Sequence, residues 1–245
     1  MGNLHYNFEG RTVIVTGAAR GIGLEVARLF QESGGEVFLV DFDADELGKA
    51  AAEIGARGLV ADVSLTEDVE AVVARAVEET GRVDVVVNNA GILRDTVLWK
   101  LTDDDWDQVL TIHAGGTFRF TRACIPQFRA QQYGRVVNVT SYTGLHGNVG
   151  QANYATAKAG IIGFTKTAAK ELGRFGVTVN AISPNAETRM VATIPADKKA
   201  EVEAAMPLGR FGDPSEIAAA VAFLASEEAG YITGVVLPVD GGLSI

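Results

Sequence analysis

Three side chains suited to proton transfer lie close together in one stretch of the chain. Ser141 precedes Tyr154 by thirteen residues, and Lys158 follows the tyrosine by four. Residues four apart on a helix share a face, so a helix here would place the Lys158 ammonium beside the Tyr154 phenol. A neighbouring cation lowers the pKa of a phenol from its usual value of about 10, toward the range in which a general acid or base works best. With Ser141 as a hydrogen-bond donor to a substrate oxygen, the three residues suit proton transfer to or from a carbonyl or an alcohol. A solvated Tyr–Lys pair has the same spacing, so the pattern alone does not establish an active site.

A glycine-rich turn near the N-terminus is typical of a site that binds a dinucleotide. Residues 11–16 are a short β-branched run that predicts a strand, and a helical pattern begins after the glycines. A helix N-terminus offers free N–H groups and a positive dipole end to a pyrophosphate, and glycines allow a tight turn and a close approach. The spacing is G-x-x-x-G-x-G, and a plain tight turn between strand and helix is the alternative. We predict cofactor contacts from Gly17, Arg20, Gly21, Ile22 and Gly23.

An acidic residue, Asp41, ends the predicted second strand at 36–40. A carboxylate about twenty positions after the glycines can accept hydrogen bonds from the adenosine ribose hydroxyls, and it would repel a 2′-phosphate. Asp41 therefore favours NAD(H). Arg20 could instead pair with a phosphate, so NADP(H) stays open as an alternative. Asp41 could also cap the next helix, but Asp43 fills that role better.

Further candidate ligand contacts follow the third and fourth predicted strands. Asp62 could accept a hydrogen bond from the adenine amino group while Val63 packs near the ring, although Asp62 could also only cap a turn. Asn89, Ala90 and Gly91 follow the strand at 83–87. The asparagine side chain can bridge neighbouring backbones, and the small residues leave room for a ligand at the carboxyl end of a strand.

Alternating strands and helices along the chain predict one α/β domain over residues 1–245. We expect a doubly wound parallel sheet of about seven strands, with helices on both faces. The predicted strands are 11–16, 36–40, 57–61, 83–87, 135–140, 177–182 and a last one within 231–239; the predicted helices after the first are 45–54, 67–79, 103–130, 152–174, 196–205 and 214–226. Residues 184–214 are otherwise irregular, and an excursion of this length predicts a substrate lid.

The composition excludes several classes of protein. The 245 residues are 47% hydrophobic and carry a formal net charge of -10, which argues against a nucleic-acid groove or an anionic membrane surface. No apolar run approaches the roughly 18 residues of a membrane span, and the polar N-terminus lacks a signal-peptide core, so we expect a cytoplasmic protein. The single cysteine, Cys124, excludes an intrachain disulfide and a multi-cysteine metal site, and we expect no metal.

These motifs together resemble the short-chain dehydrogenase/reductase family. The resemblance is carried by TGAARGIG at 16–23, by NNAG at 88–91 and by Ser141 ahead of Tyr154-x-x-x-Lys158, and it extends from about residue 8 to residue 242. It implies a single Rossmann domain, often tetrameric, that uses a nicotinamide cofactor. By resemblance, Tyr154 is the acid/base, Lys158 lowers its pKa and holds the nicotinamide ribose, and Ser141 orients the substrate oxygen. Pro184 and Thr188 resemble the segment beside the nicotinamide, where Thr188 would contact the carboxamide.

Two departures narrow the resemblance. His113 stands where the family usually has an asparagine that supports a water relay to the lysine, and Asn185 stands where it usually has glycine. Histidine can also hydrogen-bond a water, so His113 remains a candidate catalytic residue. With GILRD at 91–95, GNVGQANY at 147–154 and PNAETRM at 184–190, these residues resemble the (3R)-hydroxyacyl-CoA dehydrogenase domains of peroxisomal multifunctional enzymes and the 3-oxoacyl-acyl-carrier-protein reductases.

The resemblance implies reversible hydride transfer between NAD(H) and a 3-oxoacyl or 3-hydroxyacyl thioester, a reaction of fatty acid metabolism. The thiol is coenzyme A or acyl-carrier protein, and we expect a homotetramer. Two alternatives stay open: a dehydrogenase of another secondary alcohol, such as a sugar, polyol or steroid, and a dinucleotide sensor without catalysis. The shape of the lid would decide whether the substrate is an acyl thioester or another alcohol. The presence of Ser141, Tyr154 and Lys158 argues against a sensor without catalysis.

Overall fold

A computed structural model describes residues 4–187 and 196–245 of the chain. The predicted carboxamide contact, Thr188, lies outside the described residues. Across the described ranges, no helix has both the length and the apolar composition needed to cross a membrane.

The described residues form one sheet of seven parallel strands. In chain order they are β1 Thr12–Thr16, β2 Glu36–Asp41, β3 Arg57–Val60, β4 Val85–Asn88, β5 Gly134–Val139, β6 Val177–Pro184 and β7 Val236–Val239. Their order across the sheet is β3-β2-β1-β4-β5-β6-β7. The chain winds outward from β1 to β3 and then returns to β4, so the order reverses between β1 and β4. In open parallel sheets, ligands bind outside the carboxyl ends of the strands at such a reversal.

Helices cover both faces of this sheet. They are α1 Gly21–Glu32, α2 Ala44–Ile54, α3 Thr66–Thr80, α4 Asp103–Leu110, α5 Gly116–Gln131, α6 Tyr142–His146, α7 Ala152–Leu172, α8 Ala196–Ala205 and α9 Pro214–Ala225. Short 3₁₀ turns occur at Leu98–Lys100 and Gly173–Phe175, and a π-helical turn at Thr111–Gly115 joins α4 to α5.

The core consists of two apolar clusters, one on each face. Val13 and Val15 of β1 point into the cluster that includes residues of α1 and α9, whereas Ile14 between them points into the cluster formed with α3 and α5. Successive side chains of a strand alternate between faces, and a sheet covered on both sides needs apolar residues at every position. The predicted α/β fold, with its doubly wound parallel sheet, is therefore confirmed.

The structure corrects two elements of the prediction. The helix expected over 103–130 contains the π-helical turn, where the Arg119 guanidinium donates to the Thr111 carbonyl at 3.1 Å. The short helix α6 was not predicted, because Gly144 within it and Gly147 after it favour a loop. A Cβ on Gly144 would lie 2.7 Å from Cβ of Lys158, so this glycine allows α6 to pack directly on α7.

Candidate active site

The turn between β1 and α1 requires glycine for both its backbone conformation and its packing. Gly17 and Gly21 have φ of 63° and 57°, in the left-handed region that favours glycine. A Cβ on Gly23 would lie 2.2 Å from the Gly17 carbonyl oxygen, so Gly23 is required for packing of the helix against the turn. This differs from the predicted reason, which was room for a phosphate. Arg20 at the N-cap is extended and makes no side-chain capping bond, which leaves the first N–H groups of α1 for an anionic ligand.

The segment after β4 is tied to this turn by hydrogen bonds. The Asn89 side-chain amide donates to the Thr16 carbonyl at 2.9 Å and to the Gly17 carbonyl at 3.0 Å. The Thr16 hydroxyl accepts from the backbone N–H groups of Asn89 and Ala90, at 3.0 and 3.1 Å. The predicted bridging role of the asparagine is confirmed, and it fixes the geometry where the strand order reverses.

Asp41 lies at the carboxyl end of β2, beside the glycine turn. Its side chain is 8% exposed. One carboxylate oxygen accepts from the Ala19 N–H and the other from the Asp43 N–H, both at 3.2 Å. Asp43 caps α2 by accepting from the Glu46 N–H at 3.2 Å, as expected, and it also pairs with Arg20 at 3.1 Å. The contact of Asp41 with the ribose remains a prediction, and the cation that could have bound a phosphate is engaged by Asp43.

Asp62 and Val63 follow β3 and face the same edge of the sheet. One oxygen of Asp62 accepts from the Ser64 N–H at 2.8 Å, so this side chain caps a turn, which is the alternative role that the sequence leaves open. Val63 is buried against Gly116, where a Cβ would come within 2.9 Å of the valine side chain. The adenine contact of both residues remains a prediction.

Ser141, Tyr154 and Lys158 are brought together beyond the end of β5. Ser141 is the N-cap of α6, and its oxygen accepts from the Thr143 N–H at 3.2 Å, which leaves the hydroxyl proton to donate. A hydrogen bond links Ser141 to Tyr154. The Lys158 ammonium donates to the Val139 carbonyl at 2.7 Å and lies 5.5 Å from the centre of the Tyr154 ring. The predicted grouping of the three side chains is confirmed.

The pKa values of this group differ from the prediction in direction. Burial raises the pKa of Tyr154 to about 12; the hydrogen bond from Ser141 opposes this rise, and the negative charge of Asp95 adds to it. Burial also lowers the pKa of Lys158 to about 7. The expectation that Lys158 lowers the pKa of Tyr154 is therefore wrong for this structure, because burial disfavours the charged form of both groups.

His113 lies in the π-helical turn, next to the catalytic candidates. Its side chain is buried, with ring Nε2 2.8 Å from the Ile92 carbonyl and 3.0 Å from the Ile92 nitrogen. The ring meets that of Tyr154 edge to face, with centres 5.2 Å apart. Burial and the charge of Lys158 lower the pKa of His113 to about 3, so the imidazole is neutral near pH 7. Within residues 4–187 and 196–245 its buried Nδ1 has no hydrogen-bond partner, which is compatible with a water relay.

Sequence reasoning did not find the polar residues that hold this site in place. The Gln151 amide donates to Asp95 at 2.7 Å, and its oxygen accepts from Thr143 and Asn148, each at 3.0 Å. Asn153 donates to the Arg94 carbonyl at 3.1 Å. The sequence feature that could have indicated these residues is the polar composition of the segment GNVGQANY, which covers the loop before α7 and its first turn. These bonds fix the start of the helix that carries Tyr154.

A second polar group lies beneath the site, in the sheet itself. Asn88 of β4 donates to Asn138 of β5 at 2.8 Å, and Asn138 donates to the Thr165 hydroxyl of α7 at 2.9 Å. All three side chains are buried. Within the described residues the Asn88 side-chain oxygen has no hydrogen-bond partner, but the bonds from Asn88 through Asn138 to Thr165 join β4, β5 and α7 and set α7 against the sheet.

The predicted nicotinamide segment begins at the end of β6. Pro184 is the last residue of that strand. The Asn185 N–H donates to the Val239 carbonyl at 3.0 Å, and its side-chain amide contacts the Met206 sulfur at 3.1 Å. The asparagine therefore connects the strand to the residues that follow α8.

Comparison with known proteins gives the family. A family model described as enoyl-(acyl carrier protein) reductase matches residues 17–244. The chain belongs to the short-chain dehydrogenase/reductase family. A 3-oxoacyl-acyl-carrier-protein reductase of Vibrio cholerae is 42% identical over 97% of this chain and 98% of its own. Proteins of the same description from Thermotoga maritima and Escherichia coli are 42% and 40% identical, over 97% of this chain and 99% and 98% of theirs. This short-chain dehydrogenase/reductase is therefore an enzyme that depends on a nicotinamide cofactor.

Proposed function

We propose that the protein interconverts 3-oxoacyl and 3-hydroxyacyl thioesters by hydride transfer with NAD(H). The observation that carries this proposal is the grouping of Ser141, Tyr154 and Lys158 beyond the end of β5, at the same edge of the sheet as the glycine turn. The relatives described as 3-oxoacyl-acyl-carrier-protein reductases, at 40–42% identity, support the substrate class. Acyl-carrier protein or coenzyme A carries the acyl group.

The residues present fit a nicotinamide dinucleotide. The uncapped N-terminus of α1 suits the pyrophosphate, and the glycine turn at Gly17 and Gly21 leads the chain into it. Asp41 lies where it can accept from the adenosine ribose, because each oxygen has a lone pair beyond its backbone bond. We propose that Ile22, Val63, Ala90 and Pro184 complete the cofactor site with the other predicted contacts.

In reduction, Ser141 and Tyr154 act on the substrate oxygen. When bound, the reduced nicotinamide supplies a hydride to the carbonyl carbon. The Ser141 hydroxyl donates to the carbonyl oxygen as negative charge develops there. Tyr154, with a pKa of about 12, is protonated at pH 7 and gives its phenolic proton to that oxygen. A positioned acid of this kind contributes roughly 10²–10⁴-fold to the rate.

Lys158 stabilises the phenolate that proton transfer leaves on Tyr154, and solvent then returns a proton to the phenolate. The pKa of Lys158, about 7, leaves it partly protonated near neutral pH, and the new negative charge on Tyr154 favours the ammonium. His113, edge to face with Tyr154, positions the phenol and offers its Nδ1 to a water in the relay. The raised pKa of Tyr154 suits reduction, because oxidation would require the phenolate as a base.

Two further features belong to this proposal. We assign the substrate lid to residues 184–214, of which 188–195 lie outside the described residues; the contact of Asn185 with Met206 joins the start of the segment to the residue after α8. The enzyme assembles as a homotetramer, a property that the resemblance to the family implies.

Reduction of a carbon–carbon double bond is a second candidate, because the matching family model is described as enoyl-(acyl carrier protein) reductase. The test is the absorbance of reduced nicotinamide with acetoacetyl-CoA and, separately, with crotonyl-CoA, using NADH and NADPH. We expect NADH to be consumed with acetoacetyl-CoA and not with crotonyl-CoA. Turnover of crotonyl-CoA alone would replace the proposed reaction with enoyl reduction. Preference for NADPH would keep the chemistry and overturn the choice of cofactor.

A further inference from the structure

The charged residues after β2 are arranged so that one carboxylate engages the arginine of the glycine turn. Arg20 Nη2 lies 3.1 Å from one oxygen of Asp43. The other oxygen of Asp43 accepts from the Glu46 N–H, which fixes the carboxylate at the start of α2. The Asp43 N–H in turn donates to Asp41. The pair is therefore attached to the residue expected at the adenosine ribose.

Asp41 is poorly placed to act alone against a 2′-phosphate. It is 8% exposed, and both of its oxygens accept backbone N–H groups. The side chains of Arg20 and Asp43 are 41% and 31% exposed, so they present the charge that an approaching ligand meets. A 2′-phosphate requires a cation, and a guanidinium binds phosphate through parallel hydrogen bonds. Whether Arg20 can turn to that phosphate depends on its contact with Asp43.

We propose that Asp43 is a positioning residue for cofactor choice: by holding Arg20, it withholds the guanidinium from the 2′-phosphate of NADP(H). The preference for NAD(H) then depends on the Asp43–Arg20 pair as well as on Asp41. This inference rests on the proposed cofactor site and adds Asp43 to it, as the residue that determines whether Arg20 can reach a 2′-phosphate.

The variant that tests this is Asp43→Asn. Asparagine caps a helix about as well as aspartate, so the bond to the Glu46 N–H is kept while the charge that holds Arg20 is removed. Asp45→Asn is the matched control, because it removes the same charge from an exposed residue in the first turn of α2. Thermal unfolding of each variant checks that the fold is intact.

The measurement is the dissociation constant of NADH and of NADPH, by nucleotide fluorescence without substrate, so that it is independent of turnover. AMP and adenosine 2′,5′-bisphosphate, bound in competition, isolate the 2′-phosphate. For Asp43→Asn we expect NADPH to bind about threefold to tenfold more tightly, in line with the modest strength of exposed charge pairs, with NADH within twofold of the unmodified protein. Asp45→Asn should leave the ratio unchanged.

A double variant decides whether the effect passes through Arg20. In an Arg20→Gln background, Asp43→Asn should no longer tighten NADPH. An equal gain in that background would overturn the proposal, because removal of negative charge would then be the whole effect. An unchanged NADPH:NADH ratio in Asp43→Asn would also overturn it, while normal NADH binding would leave the proposed cofactor site standing. Absence of NADH binding in the unmodified protein would overturn both.

Discussion

The most informative perturbation is Lys158→Met, which we expect to stabilise the protein while abolishing catalysis. Lys158 is 3% exposed, and burial lowers its pKa from 10.5 to about 7. At 1.36 kcal/mol per pKa unit, this shift corresponds to about 5 kcal/mol against the ammonium in the folded state. Methionine has a similar length and carries no charge, so it avoids this cost.

The gain is reduced by the bond that the substitution removes. The Lys158 amine donates to the Val139 carbonyl at 2.7 Å. Leaving a buried acceptor without a donor costs roughly 1–3 kcal/mol. We therefore expect the free energy of unfolding of Lys158→Met to exceed that of the unmodified protein by about 2–4 kcal/mol at pH 7.

The difference in stability between Lys158→Met and the unmodified protein depends on pH. In the unfolded chain the lysine keeps its proton up to its ordinary pKa of 10.5, whereas the folded protein releases it near 7. The unfolded state binds more protons between these values, so the stability of the unmodified protein rises with pH there, by up to about 1.4 kcal/mol per unit. The advantage of Lys158→Met is therefore largest at or below pH 7 and shrinks as the pH rises.

Urea unfolding followed by circular dichroism, at pH values from about 7 to 9.5, measures this difference. The range lies above the ordinary pKa of His113 and below that of Tyr154, 6.5 and 10.0, so neither contributes strongly. Lys166→Met on the exposed side of α7 is the control and should show no such trend. A Lys158→Met protein that is no more stable than the unmodified one, or a difference that does not change with pH, would refute the reasoning.

Three further predictions concern other residues of the candidate active site. Tyr154→Phe should reduce kcat by at least about 10²-fold and leave the NADH dissociation constant within about twofold; a loss of NADH binding would contradict the assignment. Asp41→Ala removes the acceptor of the Ala19 and Asp43 N–H groups, so we expect a lower melting temperature and a smaller preference for NADH, and an unchanged cofactor ratio would count against Asp41. A Cβ on Gly91 would lie 2.2 Å from the His113 ring, so Gly91→Ala should cost roughly 1–3 kcal/mol in urea unfolding; adding His113→Ala should recover part of it, and no recovery would show that the ring is not the obstacle.

The parallel sheet with helices on both faces and the grouping of the catalytic side chains could be predicted because both follow from patterns along the sequence. The alternating strands and helices imply a parallel sheet, and the four-residue spacing places Tyr154 and Lys158 on one face of α7. The N-cap role of Asp43 also follows from local sequence, since it precedes the first helical residues and accepts from the Glu46 N–H.

Other features depend on contacts between residues that are distant in the chain. The helix α6 forms where glycines suggest a loop, because Gly144 lets it pack on α7 near Lys158. The predicted fall in the pKa of Tyr154 was wrong, since spacing shows that a lysine is near but not that the folded protein desolvates both ionisable groups. Asp41 was expected to face a ribose, and its backbone bonds to Ala19 and Asp43 could not be seen in the pattern.

The sequence by itself determined the fold class, the family and the three side chains that meet at the end of β5, because helix and strand periodicity decide which residues share a face. Only the tertiary structure decided the charge states of Tyr154 and Lys158 and the pairing of Arg20 with Asp43. Those depend on burial and on the distance between charges, which are set by elements that pack together from distant parts of the chain.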